Sequence, residues 1–136
     1  MRILFPMTAD IITPGHILCL EYLSRKGFVI VGLLSDKALK GYKQNVVSFS
    51  DRMYVLETIA EAIGDVFIAK QDSLDPSETI KKYECEAIAS GDGFEKVELE
   101  AIKKFKLKKI NIRFGGEVTK KYSSSSIKEK ICKQKR

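Results

Sequence analysis

The chain predicts an α/β fold built on a doubly wound parallel sheet, and three observations carry that prediction. Short apolar runs alternate with stretches of helical periodicity; the run Phe28 to Leu34 is apolar almost throughout, as suits a strand covered on both faces; and the alternation repeats at the spacing of parallel crossovers. The 136 residues make one domain, residues 1–136. A domain of that size buries roughly two thirds of its unfolded surface and needs no covalent staples.

The first strand is Ile3-Leu4-Phe5, and it leads into Pro6-Met7-Thr8-Ala9-Asp10-Ile11-Ile12-Thr13-Pro14-Gly15-His16, a tight loop. A helical pattern begins near Ile17, so the junction offers backbone N–H groups and the positive end of a helix dipole, which together favour an anion. Gly15 permits close backbone approach, Pro14 presets the chain for a helix, and His16, the one histidine in the sequence, stands in the first turn. Ile17, Leu20 and Leu23 face the sheet from a helix that Gly27 stops. The strand from Phe28 to Leu34 closes on Ser35-Asp36, at the sheet edge where such folds place ligands.

Residues 37–50 carry Lys37, Lys40 and Lys43 with few apolar anchors, which predicts a flexible crossing loop able to close over phosphates. Ser50 is the expected cap of a helix from Asp51 to Ile63, with Met53, Leu56, Ala60 and Ile63 at helical spacing and Arg52 in its first turn. A strand over Asp65 to Ala69 follows, then Asp75-Pro76-Ser77-Glu78, which reads as a helix start. Ala87 to Ala89 is the next strand and runs into the turn Ser90-Gly91-Asp92-Gly93-Phe94. A helix over Glu95 to Phe105 and a strand over Lys108 to Ile112 precede the break at Phe114-Gly115-Gly116. Four serines, Ser123 to Ser126, then open a last helix carrying Ile127, Lys128 and Ile131. Serine caps helices and bonds phosphate oxygens. The expected whole is a Rossmann-like five-stranded parallel sheet with helices on both faces.

The net charge of +6 is unevenly placed, with 11 Lys/Arg against 16 Asp/Glu in residues 1–102 and 13 against 2 in residues 103–136. That local basicity reads either as a solvated surface or as an attraction for phosphate-rich ligands or nucleic acid. Three widely spaced cysteines, Cys19, Cys85 and Cys132, with one histidine, argue against a zinc site or a disulfide framework and for reduced thiols in a cytoplasmic protein. The opening apolar run, broken by Pro6, does not read as a signal peptide, and no run is long enough to span a membrane. Neither a Ser-His-Asp nor a Cys-His nucleophile set is evident.

The stretch from Met7 to His16 resembles the nucleotide-binding loop of the cytidylyltransferase-like nucleotidyltransferases, whose pattern runs G-T-F-D-x-x-H-x-G-H. Thr8, Asp10, Gly15 and His16 match it; Met7, Ala9 and Thr13 stand where it has Gly, Phe and its first His. Thr13-Pro14-Gly15-His16 is similar to the T-x-G-H of the pantetheine-phosphate adenylyltransferases. The serine run is similar to the family's I-S-T-T or I-S-S-S segment, and Gly91-Asp92 partly resembles the G-D-D-W of glycerol-phosphate cytidylyltransferases. Val118 falls where those enzymes have an arginine, with Lys120 and Lys121 nearby.

The resemblance implies nucleotidyl transfer from CTP, or from ATP, to a small phosphorylated acceptor. CTP is the first expectation, and an adenylyltransferase acting on FMN or phosphopantetheine is the second. A non-catalytic nucleotide or nucleic-acid binder is the reading from a different class. On this basis His16, Lys43 and Lys128 are assigned to catalysis; Met7, Thr8, Ala9, Thr13, Gly15, His16, Gly91, Asp92 and Ser123, Ser124, Ser125 and Ser126 to the nucleotide; and Asp10, Arg52 and Asp92 to the acceptor. Mg²⁺ is the expected cofactor, held by water and phosphate with no dedicated protein site. A homodimer is expected, with neither nucleic acid nor a membrane as partner.

Overall fold

The computed structural model describes residues 1–42 and 47–112, and in it the apolar runs form five strands. These are β1 (Arg2–Met7), β2 (Phe28–Leu34), β3 (Val66–Gln71), β4 (Ala87–Ser90) and β5 (Lys108–Asn111). All pair in parallel in the order β3-β2-β1-β4-β5, with β1 in the centre. The chain winds outward from β1 to β3, then returns across β1 to β4 and β5. The crevice above the carboxyl ends of β1 and β4 is therefore the topological switch point, where ligands gather in such sheets.

The period of two in each strand sends alternate residues to opposite faces. Ile3, Phe5, Met7, Val29, Val31 and Leu33 form one cluster with Cys19, Leu20 and Leu23 of α1 (Pro14–Ser24) and with Leu56 and Ala60 of the helix Phe49–Ile63. Leu4, Ile30, Ala69 and Ile88 form the other, against Ile80 of the helix Ser77–Tyr83 and Ala101 of the helix Lys96–Phe105. Helices thus cover both faces, as the sequence predicts. A short helix, α2 (Asp36–Leu39), lies between β2 and the longer helix, so the remaining helices are α3 (Phe49–Ile63), α4 (Ser77–Tyr83) and α5 (Lys96–Phe105).

Several boundaries differ from expectation, and three of the differences have a local reason. Helix α1 starts at Pro14, not near Ile17, because Thr13 is extended and caps it. Helix α3 is capped by Ser48, whose Oγ accepts from Asp51 N at 3.4 Å, not by Ser50. The stretch expected to be a flexible loop opens with α2, because Ser35 Oγ accepts from Ala38 N at 3.1 Å and Leu39 is fully buried. Close approach explains one glycine: a Cβ on Gly32 would stand 2.3 Å from Oε1 of the buried Gln71. Gln71 in turn donates from Nε2 to the Ser73 carbonyl at 2.9 Å, holding the start of the β3–α4 loop. Lys43, Val118, Ser123 to Ser126 and Lys128, with the expected last helix, lie outside the described residues. Among the described residues no helix is long and apolar enough to cross a membrane.

Candidate active site

The β1–α1 loop delivers the first group of candidate residues. Pro14 occupies the first helical position and contributes no N–H, while the amides of His16 and Ile17 turn back to the Thr13 carbonyl at 3.0 and 3.4 Å. The helix end therefore offers the Gly15 N–H and the dipole, a smaller set of donors than the sequence predicts. His16 is the third helical residue, and its Nδ1 accepts the Thr13 N–H at 3.0 Å. Because a backbone N–H can only donate, Nδ1 is the bare nitrogen and Nε2 carries the proton. Burial lowers the His16 pKa below the usual histidine value, with the Asp92 carboxylate opposing in part. The imidazole is thus a neutral donor near pH 7, its tautomer set by the helix cap.

Asp92 lies on the β4–α5 turn, near enough for its charge to act on His16. Ser90 Oγ donates to the Gly93 carbonyl and accepts from Asp92 N at 3.3 Å, which closes the turn. Gly93 has a φ of 99°, a conformation that excludes most side chains; this is the physical reason for Gly where the resembled segment has a second Asp. The carboxylate's charge reaches Cys19 as well, and burial together with Asp92 pushes that thiol up to about 11. Cys19 is therefore a packing residue of the core, not a nucleophile. Tyr42, ahead of α3, donates its hydroxyl to Glu95 Oε1 at 3.2 Å, so the segment after β2 crosses the sheet edge to the start of α5.

The remaining predicted residues divide by burial. Met7 and Ala9, expected at the nucleotide, are buried in the cluster beneath α1, so the Met7 side chain fills core space. Asp10 is buried, and its Oδ1 accepts from Val47 N at 2.7 Å. Arg52, expected at the acceptor, has a side chain with 0% exposure and gives its guanidinium to four protein oxygens, so it cannot touch an acceptor in this arrangement. Thr8, Asp10 and Thr13 lie in the β1–α1 loop, Gly15 and His16 in the first turn of α1, and Gly91 and Asp92 in the β4–α5 turn, so all seven stand at the carboxyl edge that flanks the β1–β4 switch point. A cavity of about 420 Å³ bounded by Met1, Lys26 and residues 108–111 shares no residue with this junction.

Residues 4–130 match the family model described as cytidylyltransferase-like. The chain belongs to the cytidylyltransferase-like family. Two solved structures share the fold of this family member. A lipopolysaccharide core biosynthesis protein from Thermoplasma volcanium GSS1 superposes with a TM-score of 0.67 at 22% identity, covering 83% of this chain and 96% of that one. A protein of unknown function from Archaeoglobus fulgidus superposes with a TM-score of 0.69 at 14% identity, covering 83% and 90%. At those identities the likeness concerns the fold. No curated protein matched the sequence.

For a cytidylyltransferase-like protein, the group missed by reading the sequence is the set of partners around Arg52: Asp36, Val47 and the carbonyls of Thr8 and Leu34. One signal was present. A cation near the start of a helix opposes the helix dipole and so implies a specific partner. Among the described residues no three His, Cys, Asp or Glu side chains gather to hold a metal. Single carboxylates such as Asp92 suit Mg²⁺ retained by water and phosphate oxygens, which is how that ion is usually bound beside a triphosphate.

Proposed function

We propose that this family member transfers CMP from CTP to a small phosphorylated acceptor, glycerol-phosphate-like or a sugar phosphate. A phosphate oxygen of the acceptor attacks the α-phosphorus, a P–O bond forms, the α–β bridging bond breaks, and pyrophosphate leaves with the electron pair. No protein nucleophile takes part, so the chain contributes position and charge stabilisation. The observation that carries this reading is His16: a neutral imidazole on the first turn of α1, with Nδ1 occupied by Thr13 N and Nε2–H available as donor. That N–H would strengthen its bond to an α-phosphate oxygen as charge develops there. Gly15 N–H and the α1 dipole act on the same group. Mg²⁺ would neutralise part of the triphosphate charge. Thr8, Thr13, Gly91 and Asp92 would face the nucleotide and Asp92 the acceptor, while Asp10, buried with its Oδ1 on Val47 N, holds the loop behind them, and Lys43, Lys128 and Ser123 to Ser126 would hold the outer phosphates.

Pyrophosphate release over the nucleotides and a panel of phosphorylated acceptors tests the reaction, and thermal shifts with Mg²⁺ test base selection. A nucleotide at about a hundred times its Kd stabilises by roughly 2.7 kcal/mol. A larger shift with ATP than with CTP, at equal concentrations, would turn the assignment to adenylyl transfer, the outcome that Thr13 in T-x-G-H favours. Absence of pyrophosphate release, with salt-steep binding to polynucleotide, would make the chain a non-catalytic binder.

A further inference from the structure

We infer that Arg52 is a positioning residue that holds the nucleotide loop in its working shape from beneath the sheet edge. Its Nε donates to the Val47 carbonyl at 3.1 Å, Nη1 to the carbonyls of Thr8 at 2.6 Å and Leu34 at 2.7 Å, and Nη2 to Asp36 Oδ1 at 2.9 Å. One planar fork thereby joins the end of β2, the start of α3 and the loop after β1. Arg suits this task because its donors have fixed directions, whereas Lys offers a single point charge.

The loop is gripped a second time. Asp10 Oδ1 accepts the Val47 N–H while Arg52 takes the Val47 carbonyl, so the two side chains hold opposite polar groups of one residue. Thr8 and Asp10, the two tethered loop residues, flank Ala9, which has a φ of 55°. That conformation is costly for a residue with a Cβ and persists only where the surroundings over-determine it. Arg52 supplies that determination at Thr8 and, through Val47, at Asp10. The loop so held leads directly to Thr13 and His16. What it holds rests on the nucleotidyl-transfer reading; that it is held by Arg52 does not.

Hydrogen exchange on the ligand-free chain tests the inference independently of activity. Arg52→Lys should raise exchange about tenfold or more in residues 7–13 and 34–39 together, with residues 87–105 unchanged. Asp36→Ala, at a side chain 53% exposed, removes the Nη2 partner together with the acceptor of the Phe49 N–H, and leaves the bonds of Arg52 to Thr8, Leu34 and Val47 in place. It should raise exchange in residues 7–13 about threefold, which keeps the inference testable if Arg52→Lys does not fold. Unchanged exchange in residues 7–13, or a uniform rise across all segments, overturns it. With nucleotide and acceptor, Arg52→Lys should raise the nucleotide KM about tenfold and lower kcat less. A kcat loss at constant KM would instead make Arg52 a group that acts on the reacting phosphate. A wild-type chain that releases no pyrophosphate would sink the functional reading and leave the exchange result to judge Arg52 alone.

Discussion

Replacing His16 separates its observed task as a helix cap from the catalytic task proposed for it. His16→Ala removes the acceptor for the Thr13 N–H, at a residue 3% exposed, and it removes the Nε2–H donor. Loss of a cap partner that leaves a buried N–H unpaired costs about 1–2 kcal/mol. For a domain of this size that lowers the melting temperature by roughly 4–7 °C. Loss of a donor to developing charge costs on the order of 10²–10³ in kcat, roughly 3–4 kcal/mol. His16→Glu parts the two effects, because Thr-x-x-Glu is itself a capping box and a carboxylate suits the helix N-terminus. A carboxylate cannot donate, however, and it repels phosphate. The Glu variant should therefore melt close to wild type, yet turn over no faster than the Ala variant. Scanning calorimetry and a continuous pyrophosphate assay read the two quantities. If His16→Ala retains turnover with a confirmed acceptor, or His16→Glu restores it, His16 is a cap and the mechanism is wrong.

The titration of His16 predicts the sign of a pH effect. Its folded pKa lies below the unfolded value of 6.5, so the unfolded chain takes up the proton first as pH falls. The stabilising contribution is complete above about pH 6.5 and declines below it, a slope in melting temperature that His16→Ala should lack. Gly32→Ala should destabilise by about 1–3 kcal/mol in chemical denaturation, because the new Cβ displaces the buried Gln71 carboxamide and its bond to Ser73. A Gly32→Ala midpoint equal to wild type would show that Gln71 moves aside freely. Lys128→Ala should weaken nucleotide binding in calorimetric titration, whereas removing residues 133–136 should do little. Tight binding to DNA that is lost with those four residues would reassign the basic segment.

Where the information is local, the sequence was enough. Apolar runs such as Phe28 to Leu34 declare themselves as parallel strands through burial on both faces. Thr13-Pro14-Gly15-His16 declares a helix start with a histidine in its first turn, because capping and proline geometry act within four residues. Even there the sequence placed the helix too late, since apolar spacing begins at Ile17 while the cap is decided by the Thr13 N–H meeting His16 Nδ1. The electrostatic influence of Asp92 on His16, the neutral state of that imidazole, and the burial of Arg52 against Thr8 and Leu34 came only from tertiary structure. The influence of Asp92 on His16 depends on β4 pairing with β1 on the side away from β2, which puts the β4–α5 turn and the start of α1 at one sheet edge, whereas the burial of Arg52 depends on β1 and β2 being neighbours. Arg52 and Thr8 lie 44 residues apart, and nothing in either residue type names the other. Desolvation and hydrogen-bond direction belong to the packed arrangement, so the chain could announce the kinds of groups present but not which would face ligand and which would hold the loops in place.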